Sequence, residues 1–446
     1  MTKKIILLSF CACSSVFAQS EVEELKTLLA QQIKATQALQ KRLEVIEHKQ
    51  ARQETTHKHT QKTKQQKRSQ IAQNTQKIEA LEAKQAVQST PLPISTATTY
   101  SQKSFIPDIA LILDGSTVGR NVDNSTYEKY YIPGFNSYNP NEGKDILFNK
   151  NRGFNFNYAE LSLFSTVGPY FDATAIFHLR PEEFEIEEAY ITSRSLPYGL
   201  RAKLGRFRSE FGRINSMHQH AWEFTQNPLV FEALLGNEGM KDAGVQLQWV
   251  LPTEDTYFMV GLEALQGNND VSFGEVEKNN LYIGYLKSSF DLSDDTTLLA
   301  GASLLHGKND LGKTTNLYAT DLTLRTAFDS YSSFMWQSEF LYRDKSVVDA
   351  QEEQAGYYTQ LIYQYNQNWS TGVRYDSLYK NLKNAPDDLE KYSAMVEYKP
   401  FEFTKFRLQY VYDKSKFYGT DNQRKNTSEI LLGFTIEAGA HGSHAF

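Results

Sequence analysis

His218 and His220 flank a single glutamine in a stretch that also carries Arg208, Glu210, Arg213, Glu223 and Glu232. Closely spaced imidazoles can ligate a metal, and a second pair, His441 and His444, stands three residues apart near the end of the chain. No third ligand is evident beside either pair, so a surface or loop role stays open next to metal binding. The other chemistry on offer is electrostatic. His178, Arg180, Arg201, Lys203, Arg325, Arg374 and Arg407 alternate with apolar neighbours, and so do Glu160, Glu263, Asp321, Glu339, Asp376, Glu397 and Asp413. On one face of a sheet these charges would either form an arginine ladder that attracts anions or pair across neighbouring strands and hydrate a polar wall. The chain carries no constellation of a catalytic triad and no phosphate-binding glycine loop, so neither an enzyme nor a cofactor is expected.

The elements that hold these residues show a period of two. Phe171, Ala173, Ala175, Phe177 and Leu179 alternate with Asp172, Thr174, His178 and Arg180, and Phe406, Leu408, Tyr410 and Tyr412 with Arg407, Gln409 and Asp413. One face suits lipid and the other water, in segments of about ten residues, as transmembrane strands require. No apolar run reaches the roughly 20 residues of a spanning helix. The pattern predicts an all-β transmembrane antiparallel β-barrel of about 16 strands over residues 106–446, the first near 107–115 and the last near 427–437.

Every second connection is short, as at Gly168-Pro169-Tyr170, Ser293-Asp294-Asp295 and Asn366-Gln367-Asn368, and the intervening ones are mostly longer. Short turns belong on the periplasmic side and long loops outside, which places both termini in the periplasm. A barrel of this size is expected to leave an aqueous lumen rather than a packed core. The third external loop, about 208–240, is then the candidate constriction. The pore candidates are Arg180, Arg201, Lys203, Arg208, Arg213, His218, His220, Glu223, Arg325, Arg374 and Arg407, and the metal candidates are His218, His220, His441 and His444.

The segment before the barrel is of another kind. Lys3 and Lys4, the apolar run from Ile5 to Phe10, and Val16, Phe17 and Ala18 form a secretory signal over 1–18, with cleavage expected after Ala18. Cys11 and Cys13 both lie inside it, so the mature chain would have no cysteine. From Val22 to Gln85 there is no proline or glycine, and one heptad phase puts Val22, Leu29, Leu43, Ile71 and Ile78 at a and Leu25, Leu39, Ile46 and Leu81 at d. A self-associating, periplasmic coiled coil over 19–88 is expected, most plausibly in a homotrimer, with a Pro- and Ser/Thr-containing linker over 89–105. Residues 19–90 hold 13 Lys+Arg against 8 Asp+Glu, a net of +5, whereas residues 91–446 carry −13.

Leu196-Pro197-Tyr198-Gly199-Leu200-Arg201 running into Lys203-Leu204-Gly205-Arg206-Phe207-Arg208 and then Phe211-Gly212 resembles the hairpin and loop of the phosphate-selective porin family. The helical arm resembles a trimeric, coiled-coil-bearing branch of such porins. Pro107-Asp108-Ile109-Ala110-Leu111-Ile112-Leu113-Asp114-Gly115 and Gly439-Ala440-His441-Gly442-Ser443-His444 look like a group of outer-membrane proteins labelled zinc-regulated TonB-dependent receptors. The first resemblance implies an anion carried past the lumenal arginines, and the second implies zinc at the histidines. Two readings follow: an outer-membrane porin for passive diffusion of small hydrophilic or charged solutes, or a barrel-anchored structural or zinc-uptake receptor using its coiled coil in the periplasm. The expected partners are outer-membrane lipid and lipopolysaccharide, small solutes or ions, and peptidoglycan through the coiled coil; nucleic acid is not among them.

Overall fold

Outward leucines and inward polar or small residues alternate along each strand, and that alternation curls one sheet into a closed wall. Leu408 faces Leu432 across two neighbouring strands on the outside, while the next pair inward, Gln409 and Leu431, is fully buried. A computed structural model describes residues 107–135, 148–181, 183–194, 196–253, 256–274, 281–379, 389–418 and 423–439. All of these lie in the second of two compact units, Tyr100–Phe446. The expected signal peptide, coiled coil and linker, with His441, His444 and Phe446, fall outside the described residues.

The barrel strands, in chain order, are β1 Asp108–Arg120, β2 Gly153–Val167, β3 Phe171–Leu179, β4 Phe184–Ser193, β5 Leu200–Arg208, β6 Lys241–Val250, β7 Tyr257–Leu265 and β8 Leu281–Ser293. They continue as β9 Thr296–Lys308, β10 Thr314–Ala327, β11 Ser333–Val347, β12 Ala350–Gln364, β13 Trp369–Tyr379, β14 Leu389–Phe401, β15 Thr404–Asp413 and β16 Thr427–Gly439. Each pairs antiparallel with its sequence neighbours, and β1 closes on β16 with Leu113 opposite Ile436. The strand number and the order of connections agree with the sequence expectation. Closure leaves no free edge strand, so the wall's backbone groups are paired largely within the sheet, with side chains completing the short β4–β5 ladder, as where Glu188 accepts from Arg208 N–H. Among the described residues no helix is long and apolar enough to cross a membrane.

The outer surface carries a band of Leu, Ile and Val, including Leu204, Leu262, Val373, Leu408 and Ile430, all exposed. At the short-turn end this band gives way to exposed Tyr170, Tyr198, Trp249, Tyr257, Tyr331, Trp369 and Tyr398, an aromatic girdle of the kind that sits at a membrane interface. At the opposite end three connections are shorter than expected, 180–183, 309–313 and 348–349. A small three-stranded sheet of Tyr130–Tyr131, Phe417–Tyr418 and Gln423–Arg424 joins the first and last connections of that end. Among the described residues two short α-helices stand outside the sheet, α1 Asn124–Tyr127 and α2 Leu229–Leu235.

The interior departs from the expected aqueous lumen. Leu229, Val230, Phe231, Ala233, Leu234 and Leu235 of α2 form one buried apolar cluster with inward side chains of the wall, which include residues from every strand between β8 and β14. These are Leu281 and Ile283 of β8, Leu305 of β9, Leu317 of β10, Leu341 of β11, Tyr358 of β12, Leu378 of β13 and Leu389 of β14. The reason is local: toward the long-loop end these strands are apolar on both faces, so their inner residues need a cover and the third loop supplies it.

Candidate functional site

The third connection at the long-loop end, residues 209–240, folds into the barrel, where the sequence places the constriction. Its entry is set by two glycines. Gly205, at φ +138°, lets strand β5 approach so closely that a Cβ there would sit 2.2 Å from the Ala189 carbonyl oxygen. Gly212, at φ +68°, turns the chain inward, and a Cβ there would lie 2.7 Å from the Glu339 carboxylate. Asn215 then ties the two ends of the loop together, its amide donating to the carbonyls of Ser209 (2.8 Å) and Met240 (2.9 Å) and accepting from Met240 N–H (2.7 Å).

Wall side chains satisfy the loop backbone throughout. Carboxylates take its N–H groups: Glu263 accepts from Glu210 (3.0 Å), Glu339 from Arg213 (2.8 Å) and Ile214 (3.0 Å), and Asp376 from Leu229 (2.8 Å). Cations take its carbonyls: Arg374 donates to Gln226 (3.0 Å), Lys391 to Asn227 (3.1 Å), Arg407 to Trp222 (2.9 Å) and Lys405 to His220. Irregular backbone is thus held at membrane depth because the lumen supplies its hydrogen bonds. These contacts come from β7, β11, β13, β14 and β15, so the loop reaches across the barrel from its own strands to the far wall.

The predicted pore cations divide into two groups. Arg180, Arg208, Arg374 and Arg407 are buried in pairs: Arg180 with Glu185 (3.0 Å) and Glu238 (3.2 Å), Arg208 with Glu187 (3.3 Å), Arg374 with Asp376 (3.1 Å), and Arg407 with Glu397 (2.5 Å). Arg201 and Arg325 are exposed toward the short-turn end of the barrel, and Lys203 lies with its Nζ 4.8 Å from the Tyr190 ring centroid. Arg213 and Glu223 are half-buried in the loop. Burial, followed by Glu397, pushes the Glu223 carboxyl up. The acidic partners of Lys241, namely Glu185, Glu187 and Glu238, and the pairs Lys416–Glu232 and Lys287–Glu210 were not singled out in the sequence as partners.

The densest group lies where the loop meets β2, β3 and β4. One oxygen of Glu160, Oε2, stands 3.3 Å from His178 Nε2, 3.2 Å from His218 Nδ1 and 3.3 Å from His220 Nδ1. His218 Nε2 continues to Glu188 Oε1 at 2.7 Å, and His178 Nδ1 lies 3.8 Å from Glu187 Oε2. A β-bulge between Ile176 and Phe177 leaves Glu187 as the extra residue on β4, so Glu187 and Glu188 are both buried next to this group. The ring of Tyr158 stacks on His178 at 4.4 Å. Burial alone would lower the His218 imidazole, yet Glu160 and Glu188 outweigh it and raise it to about 10. For His220 burial prevails and its pKa is lowered. The sequence had paired only His218 with His220; Glu160 and His178 stood among the lumenal charges without that connection.

Between the loop and the wall of β1, β14, β15 and β16 lie two small polar cavities. One, of about 50 Å³, is lined by Gln219, Thr225, Gln226, Glu232, Lys391, Asp413, Lys416 and Glu429; the other, of about 20 Å³, by Asp114, Gln219, His220, Thr225, Lys405, Arg407 and Thr435. Gln219 and Thr225 border both.

No model of a known protein family matches the chain. An uncharacterized protein of Aquifex aeolicus (strain VF5) is 38% identical over 388 residues, which is 78% of this chain and 81% of that protein. The chain belongs to that protein's family. Solved structures of similar form are the anion-selective porin from Comamonas acidovorans (TM-score 0.49, 10% identity, 74% of this chain and 99% of that one) and the outer membrane channel DcaP of Acinetobacter baumannii (TM-score 0.48, 12% identity, 76% and 99%). OmpT, an outer membrane protein of Vibrio cholerae, is similar at a TM-score of 0.48 and 10% identity over 76% of this chain and 99% of that one. Within its family, this chain offers charge and imidazole chemistry inside a closed wall.

Proposed function

We propose that the chain is an outer-membrane channel of the porin type, narrowed by its third external loop to the passage of ions and very small hydrophilic solutes. The observation that carries this is the pair of neighbouring cavities between loop 209–240 and the β1/β16 side of the wall, sharing Gln219 and Thr225, inside a barrel whose outer face is apolar. Cavities of about 50 and 20 Å³ hold only a few waters each, so the channel passes little unless the loop moves. Selectivity is weak in this reading, because Arg180, Arg208, Arg374 and Arg407 each face a carboxylate at 3.3 Å or less. The phosphate- or anion-carrying ladder implied by the porin resemblance is correspondingly subdued, and Lys405 beside the smaller cavity supplies the residual anion preference.

The parts outside the described residues complete the proposal: export through the signal over 1–18, a periplasmic coiled coil over 19–88 supporting a homotrimer and reaching toward peptidoglycan, and a lipid- and lipopolysaccharide-facing barrel. The heptads from Val22 to Leu81 support the coiled coil. The filled lumen favours one second reading, a barrel that serves as a structural or receptor anchor for that arm. Single-channel current in a planar bilayer separates the two. Small steps that grow several-fold when residues 223–235 are replaced by a short Gly/Ser linker support the channel, and a folded barrel silent in both forms supports the anchor.

A further inference from the structure

We propose that Glu160, His178 and His218, with His220 beside the same carboxylate, form a binding site for one divalent transition cation of the zinc class, which clips the lumenal loop to the barrel wall. The proposal stands on geometry that does not depend on whether the barrel conducts. Three imidazole nitrogens from two separate parts of the chain converge on the single oxygen Glu160 Oε2 at 3.2–3.3 Å. Ligands bound at about 2.0–2.1 Å in a tetrahedron stand roughly 3.3–3.4 Å apart, which matches the distance of each imidazole nitrogen from the one carboxylate oxygen. Among the described residues, Glu160, His178 and His218 each bring a ligand atom within 4.8 Å of the other two, and all three are buried.

The outer nitrogens strengthen the assignment. A ligating histidine is usually oriented by a carboxylate on its second nitrogen. Here the orienting carboxylate is that of Glu188, 2.7 Å from His218 Nε2, while His178 Nδ1 lies 3.4 Å from Arg180 Nη2 with Glu187 farther off at 3.8 Å. Imidazole with one carboxylate oxygen selects zinc, cobalt, nickel or copper over calcium and magnesium, which take oxygen ligands. His218 and His220 ride on the loop while Glu160 and His178 belong to β2 and β3, so a bound cation cross-links loop and wall.

The full-length protein, purified in detergent and stripped with a chelator, is titrated with Co²⁺ and followed in the visible range. One equivalent per chain with the intense bands of tetrahedral cobalt, displaced by Zn²⁺, is the expected result. Glu188→Gln should weaken binding about 10–100-fold through loss of the orienting carboxylate. Glu160→Gln combined with His178→Gln should abolish the tetrahedral bands, while His441→Ala combined with His444→Ala should leave them intact. Each variant is first checked for the heat-sensitive gel migration of a folded barrel. Should the Glu160/His178 variant not fold, Zn²⁺ protection of the wild-type histidines from diethyl pyrocarbonate replaces it, with His218 and His220 expected to be shielded. Absence of tetrahedral bands, or bands that persist in the folded Glu160/His178 variant, or unshielded His218 and His220, overturns the site and leaves a hydrogen-bonded His–Glu latch in its place.

Discussion

The carboxylate of Glu339 on β11 and the backbone N–H of Ile214 meet at 3.0 Å inside the barrel, 125 positions apart in the chain. The same carboxylate accepts from Arg213 N–H at 2.8 Å and from the Tyr358 hydroxyl at 2.5 Å, so one wall residue anchors the start of the lumenal loop. Replacing Glu339 with Ala strands those donors, each at about 1–3 kcal/mol when buried. The expected outcome is a lower thermal midpoint and larger, noisier single-channel currents, with Glu339→Gln retaining part of the wild-type behaviour. Unchanged current noise in a destabilised Ala variant would show that the anchor does not govern the path.

Gly212 tests the same corner from the loop side. At φ +68°, with Glu339 Oε2 2.7 Å from the position of a Cβ, Gly212→Ala meets both backbone strain and a clash with the anchor. A cost of about 1–3 kcal/mol is expected, read as a lower urea midpoint. Gly312, also at positive φ but with open space around it, should cost less on the same substitution.

Glu397 offers a test of charge. It holds Arg407 at 2.5 Å and Lys399 at 3.0 Å, and Arg407 in turn caps the Trp222 carbonyl. Glu397→Gln leaves a buried guanidinium without its counter-charge, a loss on the order of 3–5 kcal/mol. In a bilayer under a salt gradient the reversal potential should move toward anions, and Lys405→Gln should move it back.

Acid should loosen the far end of the loop. Burial pushes the Glu232 carboxyl up, but Lys416 and Lys391 outweigh burial and hold it below its usual value of 4.5. A lowered folded value means that this contribution is fully present above pH 4.5 and is lost as pH falls through the lower folded value. For Lys416, burial would lower the ammonium, but Glu232 outweighs it and raises it above 10.5, so its contribution is lost only at strongly alkaline pH. Thermal midpoints measured between pH 3 and 7 should fall toward acid, and Glu232→Gln should flatten that slope. An equal slope in the variant would assign the acid sensitivity elsewhere.

The wall was legible in the sequence because a strand with one lipid face and one polar face repeats every two residues, as in Phe171 to Leu179. The loop was legible from its length and its place third among the connections at that end. Its helix was not, although Leu229-Val230-Phe231-Glu232-Ala233-Leu234-Leu235 is apolar nearly all round, the mark of a buried helix. Adjacent apolar pairs such as Leu304-Leu305 were a second sign, since one member must face inward and therefore needs a cover. The convergence of His178, His218 and His220 on Glu160 is a property of register, which sets His178 opposite Glu160, and of the path of the loop, and neither leaves a local pattern in the chain.

The loop between β5 and β6 finds its apolar partners on strands made later, as late as Leu378 on β13 and Leu389 on β14. During synthesis and insertion Phe231, Leu234 and Leu235 therefore have nowhere to go until most of the wall exists, and the far wall has nothing to cover until the loop arrives. Contacts of such long sequence separation form slowly and leave sticky intermediates. The barrel thus holds its own contents: a wall closed without the loop would leave the inward apolar side chains of β8 to β14 facing water.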